Sequence, residues 1–449
     1  MKKILLLFLA FAFVPFNLLS QSCLPDGIVF YSQSDIDDFE TNYPACTEIE
    51  GNVSIGNGYP NDISSLDGLD VLEAIGGYLF ITTNDNLNSL DGLENLETIG
   101  GYLHIFECPG LTDLDGLDGL TSIGGGLILY ENHSLVDLRG LDDLNTVGGV
   151  VEIGYHEALS SLEGLESLTS IGGMDMGYVN NLPDFSGMDN LNTVTGNFVI
   201  NDCDQISTLS GLNSLTTVNG DFNLFFLESL VSLSGLESLT TVDGQLRILS
   251  NPVADMAPLS NLTSVGSTLE IKGSAAVDLT GLENLTSIGG ELVIGNNQFL
   301  ESLTGIQHIA YQSISNLKIT YNPLLTTCEV KSVCDYLVDP GGIIWLHNNA
   351  TGCSSEDEVV DACDATALSE NQSGGQLILY PNPAQDLIFI ESKTGRLTGT
   401  VAVADLLGRL VIEPVGLNGT LDISSLQNGI YYLVVRTGED TFREKLVIE

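Results

Sequence analysis

A phrase of 24 residues recurs through most of this chain, and it limits the fold more than any other feature. One copy starts at Ser89 and reads SLDGLENLETIGGYLHIFECPGLT, after which the text returns as DLDGL. The glycines that open each Gly-Leu-like step are Gly68, Gly92, Gly116, Gly140, Gly164, Gly187, Gly211, Gly235, Gly281 and Gly305. Steps are 24 or 23 residues long, apart from one double step where Pro258-Leu259 replaces Gly-Leu. A fixed period in the twenties marks a solenoid. It excludes most compact enzyme folds and makes a binding surface the leading functional reading.

Within one unit the apolar residues keep fixed places: Leu69, Leu72, Ile75, Leu79, Ile81, Leu87 and Leu90. Leu79 and Ile81 alternate with Tyr78 and Phe80, which is a strand period. Gly76-Gly77 just before them marks a tight corner. The same strand returns as Val53-Ser54-Ile55, Leu103-His104-Ile105, Val151-Glu152-Ile153 and so on to Leu317-Lys318-Ile319. The count predicts an all-β, parallel β-helix solenoid of about twelve rungs, roughly 53 Å long at 4.8 Å per rung. One turn cannot stand alone. Neighbouring turns must share their Leu and Ile stacks, and both ends need caps.

The Ile-Gly-Gly-x-Leu-x-Ile strand, the Gly-Leu-x-x-Leu step and the flanking cysteine segments resemble the receptor L-domain family. That family is a right-handed β-helix related to leucine-rich repeats, and the resemblance covers about residues 23–363. It implies the fold. Twelve rungs is roughly twice a usual L domain, so no receptor-type ligand site carries over.

Met-Lys-Lys followed by an apolar run from Ile4 to Val14 reads as a secretory signal peptide, residues 1–20, too short to span a bilayer. No other apolar run is long enough to span, so no transmembrane segment is expected in the mature chain. Export accounts for eight cysteines. Cys328 and Cys353 stand at nearly equivalent places one rung apart, which suits a disulfide. Cys334 and Cys363 lie on two short predicted helices and form a second pair. Cys23 and Cys46 pair by exclusion. These define an N-terminal cap at 21–48, a solenoid at 49–325 and a C-terminal disulfide cap at 326–364. Cys108 and Cys203 share a column with Asn84, Asn132, Asn251, Asn297 and Asn322. They sit four rungs apart, about 19 Å, and are expected to be buried free thiols.

Beyond a polar linker at 365–376 the 24-residue period stops and two-residue alternation begins, as in Leu387-Ile-Phe-Ile390. This predicts a small β-sandwich at 377–449. The blocks Leu379-Tyr-Pro-Asn-Pro-Ala384 with Asp386, Asp405-Leu-Leu-Gly-Arg409, Ile423-Ser-Ser-Leu-Gln-Asn-Gly-Ile-Tyr431 and Arg443-Glu-Lys445 occur in order. They resemble the type A C-terminal sorting domain of the type IX secretion system. The resemblance implies handling by that machinery and export across the outer membrane to the cell surface or medium.

A net charge of −47 argues against nucleic acids and anionic membranes as partners. Acids follow many Gly-Leu steps: Asp70, Glu94, Asp118, Asp142, Glu166, Asp189, Glu237 and Glu283, interrupted by Asn213, Ser260 and Gln307. At rung spacing neighbours repel by about 0.9 kcal/mol in a water-like dielectric. The row reads either as a weak calcium-binding ridge or as solvated charge. No other cofactor is expected.

Outward strand positions of the early rungs are aromatic: Tyr78, Phe80, Tyr102, His104, Phe106 and Tyr130, with Tyr155, His156 and Tyr178 just past the next strands. Clustered exposed aromatics mark contact with a glycan or a protein. Burial under the N-terminal cap or against a second copy would also account for them. The five histidines have no metal-ligand spacing, and no nucleophile elbow or phosphate loop occurs, so no catalytic residue is assigned and the chain is not read as an enzyme. The reading is an exported adhesion or binding protein that recognises an extracellular glycan or protein through its strand face. The alternatives are a structural or self-associating surface protein and, third, a polysaccharide-acting enzyme.

Overall fold

A computed structural model of the 449-residue chain describes residues 22–56, 62–370, 377–392, 399–405, 409–437 and 440–449. The segment expected to be a signal peptide, 1–20, and residues 371–376 of the expected linker lie outside them. The chain divides into two compact units, residues 1–354 and 355–449.

The first unit is a parallel β-solenoid of about thirteen turns. Its main ladder is built from strands such as Leu79–Thr82, Leu103–Phe106 and Leu127–Tyr130, paired in register so that Leu79, Leu103 and Leu127 form one column. Side chains alternate between a buried Leu/Ile stack and the outer face. Ile81, Ile105 and Leu129 are fully buried, while Phe80, His104 and Ile128 face outward. Ile344–His347 adds a further strand in the C-terminal cap, pairing with Leu317–Thr320. Ile28–Phe30 adds a rung inside the N-terminal cap, pairing with Val53–Gly56, that the count of twelve omits. This segment alternates like the others, but it lacks the Ile-Gly-Gly signature.

A second ladder of two-residue strands runs beside the first, from Ser22–Cys23 through Ala74–Ile75 and Thr98–Ile99 to Ser287–Ile288. The glycine corner separates the ladders because turns pass in near contact there. A Cβ on Gly100 would lie 2.2 Å from the Gly76 carbonyl oxygen. In Thr146–Gly154 and Ser170–Gly177 the two ladders fuse into continuous strands. On the third side, the Gly-Leu step turns through a left-handed glycine. Gly92 has φ +105°, and a Cβ there would fall 2.1 Å from Leu66 O.

After each main strand one residue takes a left-handed conformation, as at Thr83, Glu107, Glu131, Tyr155 and Tyr178. This corner sends the next side chain inward. Asn132 donates to Ile105 O at 2.9 Å and accepts from the Cys108 N–H at 3.0 Å, and Asn251 repeats the pattern with Leu224 O and the Leu227 N–H. The buried asparagines thus satisfy backbone groups at the strand ends. Cys108 and Cys203 occupy the same column as buried free thiols.

Disulfides join Cys23 to Cys46 and Cys328 to Cys353, each across a Cα separation of 5.8 Å. Cys334 and Cys363 are also disulfide-bonded. In the N-terminal cap, Phe30 and Phe39 meet edge to face at 5.7 Å. Gln33 accepts from the Ser64 and Ser65 N–H groups, tying helix Gln33–Asp37 to the Gly-Leu side of the first turn. In the C-terminal cap, helix Lys331–Val338 buries Tyr336, whose hydroxyl donates to Ser315 O at 3.1 Å.

The second unit opens with helix Glu356–Glu370, capped by Ser355 Oγ accepting from the Glu358 N–H at 3.3 Å. The helix occupies the first residues of the predicted linker, where Ala365, Ala367 and Leu368 favour helix over coil. Two antiparallel sheets follow, one of three and one of four strands. Ile388, Ile390, Val401, Val403, Leu433, Val435 and Leu446 form the buried core of this small sandwich.

Candidate functional site on the outer strand face

The parallel register fixes which outward residues are neighbours. The central outward column reads Phe80, His104, Ile128, Glu152, Asp175, Val199, Asn223, Arg247 and Glu270. The six predicted ligand-binding aromatics all lie on this face, and four form one contact chain. Ring centroids are 4.2 Å apart for Tyr78–Phe80, 5.1 Å for Phe80–His104 and 6.0 Å for His104–Phe106. Mutual packing leaves these four half-buried, while Tyr102 is 51 % exposed. Burial lowers the His104 pKa, so the ring is neutral at pH 7.

Tyr130 belongs to a second chain with the tyrosines just past the next strands. Tyr130–Tyr155 centroids are 5.1 Å apart, and Tyr155–Tyr178 rings stack at 4.6 Å. Tyr155 and Tyr178 are exposed because the left-handed corner points them outward.

That corner also corrects the placement of His156. It is fully buried in the asparagine column, with Nδ1 2.9 Å from Asn132 O and Nε2 3.1 Å from Leu129 O. Burial lowers its pKa, opposed by the two carbonyls. Its role is internal, like that of Asn132.

Two further outward residues, Glu152 and Asp175, pair directly across adjacent rungs. Partial desolvation raises both carboxyl pKa values, and the charge of Asp175 raises Glu152 further. Alternation in Val151-Glu152-Ile153 is the signal that marks Glu152. Asp175 is disguised by Met174 and Met176, which replace the usual Leu and Ile.

The later rungs carry charge rather than aromatics. Glu270 pairs with Arg247 at 3.0 Å and Lys272 at 2.5 Å. Lys318 pairs with Glu291 at 2.6 Å and lies 5.1 Å from the centroid of Trp345. With Arg139 bound to Asp137, every cation of the repeats is in an ion pair.

The acidic row has a local job. The N–H of Gly116 donates to Asp118 at 3.1 Å, Gly140 to Asp142 at 3.0 Å and Gly164 to Glu166 at 2.8 Å. Asp189, Glu237 and Glu283 repeat this on Gly187, Gly235 and Gly281. Asn213 and Gln307 do the same with amide oxygens, so the turn needs an acceptor rather than a charge. Asp70 begins the row beside the short helix Asp67–Leu69. No group of three metal-ligating side chains occurs among the described residues. A shallow groove of about 330 Å³ follows the short ladder over Gly76, Gly100, Gly124 and Gly148. Close packing of turns already explains its glycine floor.

Two family models match parts of the chain. The receptor L domain matches residues 45–135, and the secretion system C-terminal sorting domain matches residues 378–449. The same rungs continue beyond the first match to Ile344–His347. No curated protein matches the chain. The sorting domain, of the type IX system, implies handling by that machinery and export across the outer membrane to the cell surface or beyond. No helix among the described residues is long and apolar enough to cross a membrane.

Proposed function

We propose that the solenoid is a recognition rod, exported as an adhesion or binding protein, that captures an extracellular glycan or protein through its outer strand face. One observation carries this reading: the early rungs hold two ring-contact chains, with Tyr102, Tyr155 and Tyr178 open to solvent. Aromatic faces give large contact area at low entropy cost. The N-terminal cap helices pack toward the Gly-Leu side of the first turn, which leaves the strand face available. The ion pairing of every repeat cation favours a binder over a polysaccharide-cleaving enzyme. The test is capture on glycan and surface-protein arrays by the full chain and by a Tyr78→Ser/Phe80→Ser/Tyr102→Ser variant. Loss of capture in a folded variant is expected. Persistent capture would move the recognition surface elsewhere, and early melting would make these aromatics packing residues.

A further inference from the structure

From Ser22 to Leu246 the chain holds one lysine or arginine, Arg139, and that cation is paired with Asp137 on the Gly-Leu side. The early strand face is therefore without cationic side chains, and its histidine, His104, is neutral at pH 7. The lower part of this face is acidic as well as aromatic. Glu152 and Asp175 lie between Ile128 and Val199 in the central column, and neither has an ion-pair partner among the described residues. Beside them run the stacked rings of Tyr155 and Tyr178, and the Tyr178 hydroxyl interacts with Asp202.

The strand positions between carboxylates and tyrosines are Gly154 and Gly177. The ring of Tyr130 covers the first, since a Cβ on Gly154 would fall 2.6 Å from Tyr130 Cε2. Gly177 is different. It is not left-handed, and a Cβ there would meet only Asn201 O, at an ordinary 3.5 Å. Neither conformation nor packing demands glycine at this position. Its effect is to leave open space between Asp175 and the tyrosine wall.

Taking this face as the recognition surface, we infer that the partner it fits is cationic: an extended protein segment whose arginine or lysine side chains lie against Tyr155 and Tyr178 and reach the carboxylates of Glu152 and Asp175. A cation is attracted to ring faces, and a guanidinium both stacks on an aromatic and matches a carboxylate. It also relieves the repulsion between the two acids. A neutral sugar would stack on the rings but leave that repulsion in place, and an anionic glycan would meet like charge.

The probe is a labelled Gly-Ser-Arg-Ser-Arg-Ser-Gly peptide titrated against the full chain, with a citrulline version as the uncharged match. A protein of net charge −47 attracts any cation weakly, so the variants decide. The arginine peptide should bind about tenfold more tightly than the citrulline peptide. Tyr155→Ser/Tyr178→Ser, which keeps the charge, should weaken binding about tenfold. Glu152→Gln/Asp175→Asn should weaken it at least as much. Glu73→Gln/Glu97→Gln, two exposed acids beside the short ladder, should change it less than about twofold. If the tyrosine pair melts early, the near-isosteric carboxylate pair carries the test alone. Equal losses in the control and face variants, or none in either, would overturn the inference. If the citrulline peptide, a neutral glycan or a second copy of the chain is captured instead, and the tyrosine pair abolishes that capture, the cationic partner is wrong while the recognition face stands. If capture depends neither on Tyr155 and Tyr178 nor on Tyr78, Phe80 and Tyr102, both readings fall.

Discussion

The backbone N–H of Gly92 donates to Glu94 Oε2 at 2.8 Å, so an exposed acid holds the left-handed turn two residues before it. Gln307 makes the same bond to Gly305 at 2.8 Å. Glu94→Gln should therefore leave thermal stability unchanged, whereas Glu94→Ala should lose about 0.5–1 kcal/mol. Millimolar calcium should raise the melting temperature no more than sodium chloride of equal ionic strength, because both only screen the row. A calcium-specific rise that Glu94→Gln and Glu166→Gln reduce would show a cation ridge instead. Thermal melts in the two salts decide it.

Burial pushes the thiol of Cys108 up to about 11 and that of Cys203 up to about 12. The Cys108 Sγ faces Phe106 O at 3.5 Å, so the thiol stands in for a column asparagine as a weak donor. Thiolate is the reactive form, and at pH 8 about one Cys108 in a thousand carries it. Iodoacetamide should leave both cysteines unmodified in the folded protein and alkylate both in guanidinium, as read by peptide mass mapping. Rapid labelling of the native chain would contradict their burial.

His156 supplies a pH dependence. Its folded pKa lies below 6.5, so between that value and 6.5 the unfolded chain holds a proton the folded chain lacks. Stability therefore falls as pH drops below about 6.5. His156→Asn places the column's usual residue there and removes the titration. The variant should match the parent near pH 7.5 and melt at a higher temperature than the parent near pH 5. A gap that stays constant with pH would show that His156 takes its proton while folded.

These residues show where the sequence was readable. Leu79, Leu103 and Leu127 announce their column because a solenoid repeats its core at its own period. The cap rung at Ile28–Phe30 escaped that logic, since cap segments are irregular in length. The column of Asn84 and Asn132 was visible, but not that its amides serve strand-end backbone. His156 reads with the outward aromatics but is buried, because a left-handed residue at Tyr155 reverses the inside–outside alternation. The acid row could not reveal its function in one dimension. Whether Glu94 faces a cation or its own Gly92 N–H depends on a turn that only the backbone displays. Asp175 was hidden between Met174 and Met176, and it matters only once stacking sets it against Glu152.

Residues 377–449 have their own buried core, centred on Val403, Leu433 and Val435. The solenoid has a separate core and its own disulfides, Cys23–Cys46 and Cys328–Cys353. Removing the tail should therefore leave the repeats folded. The expected signal peptide carries a chain only across the inner membrane. In a host with the type IX machinery, deletion of 377–449 should leave folded, protease-resistant solenoid in the periplasm and none at the surface. Fusing those residues to an unrelated protein with its own signal peptide should send that protein outside. Surface labelling and fractionation read both outcomes. Display of the truncated chain, or retention of the fusion, would refute the sorting role. Mature surface material that still contains Lys445 would show that the tail is kept after export rather than removed.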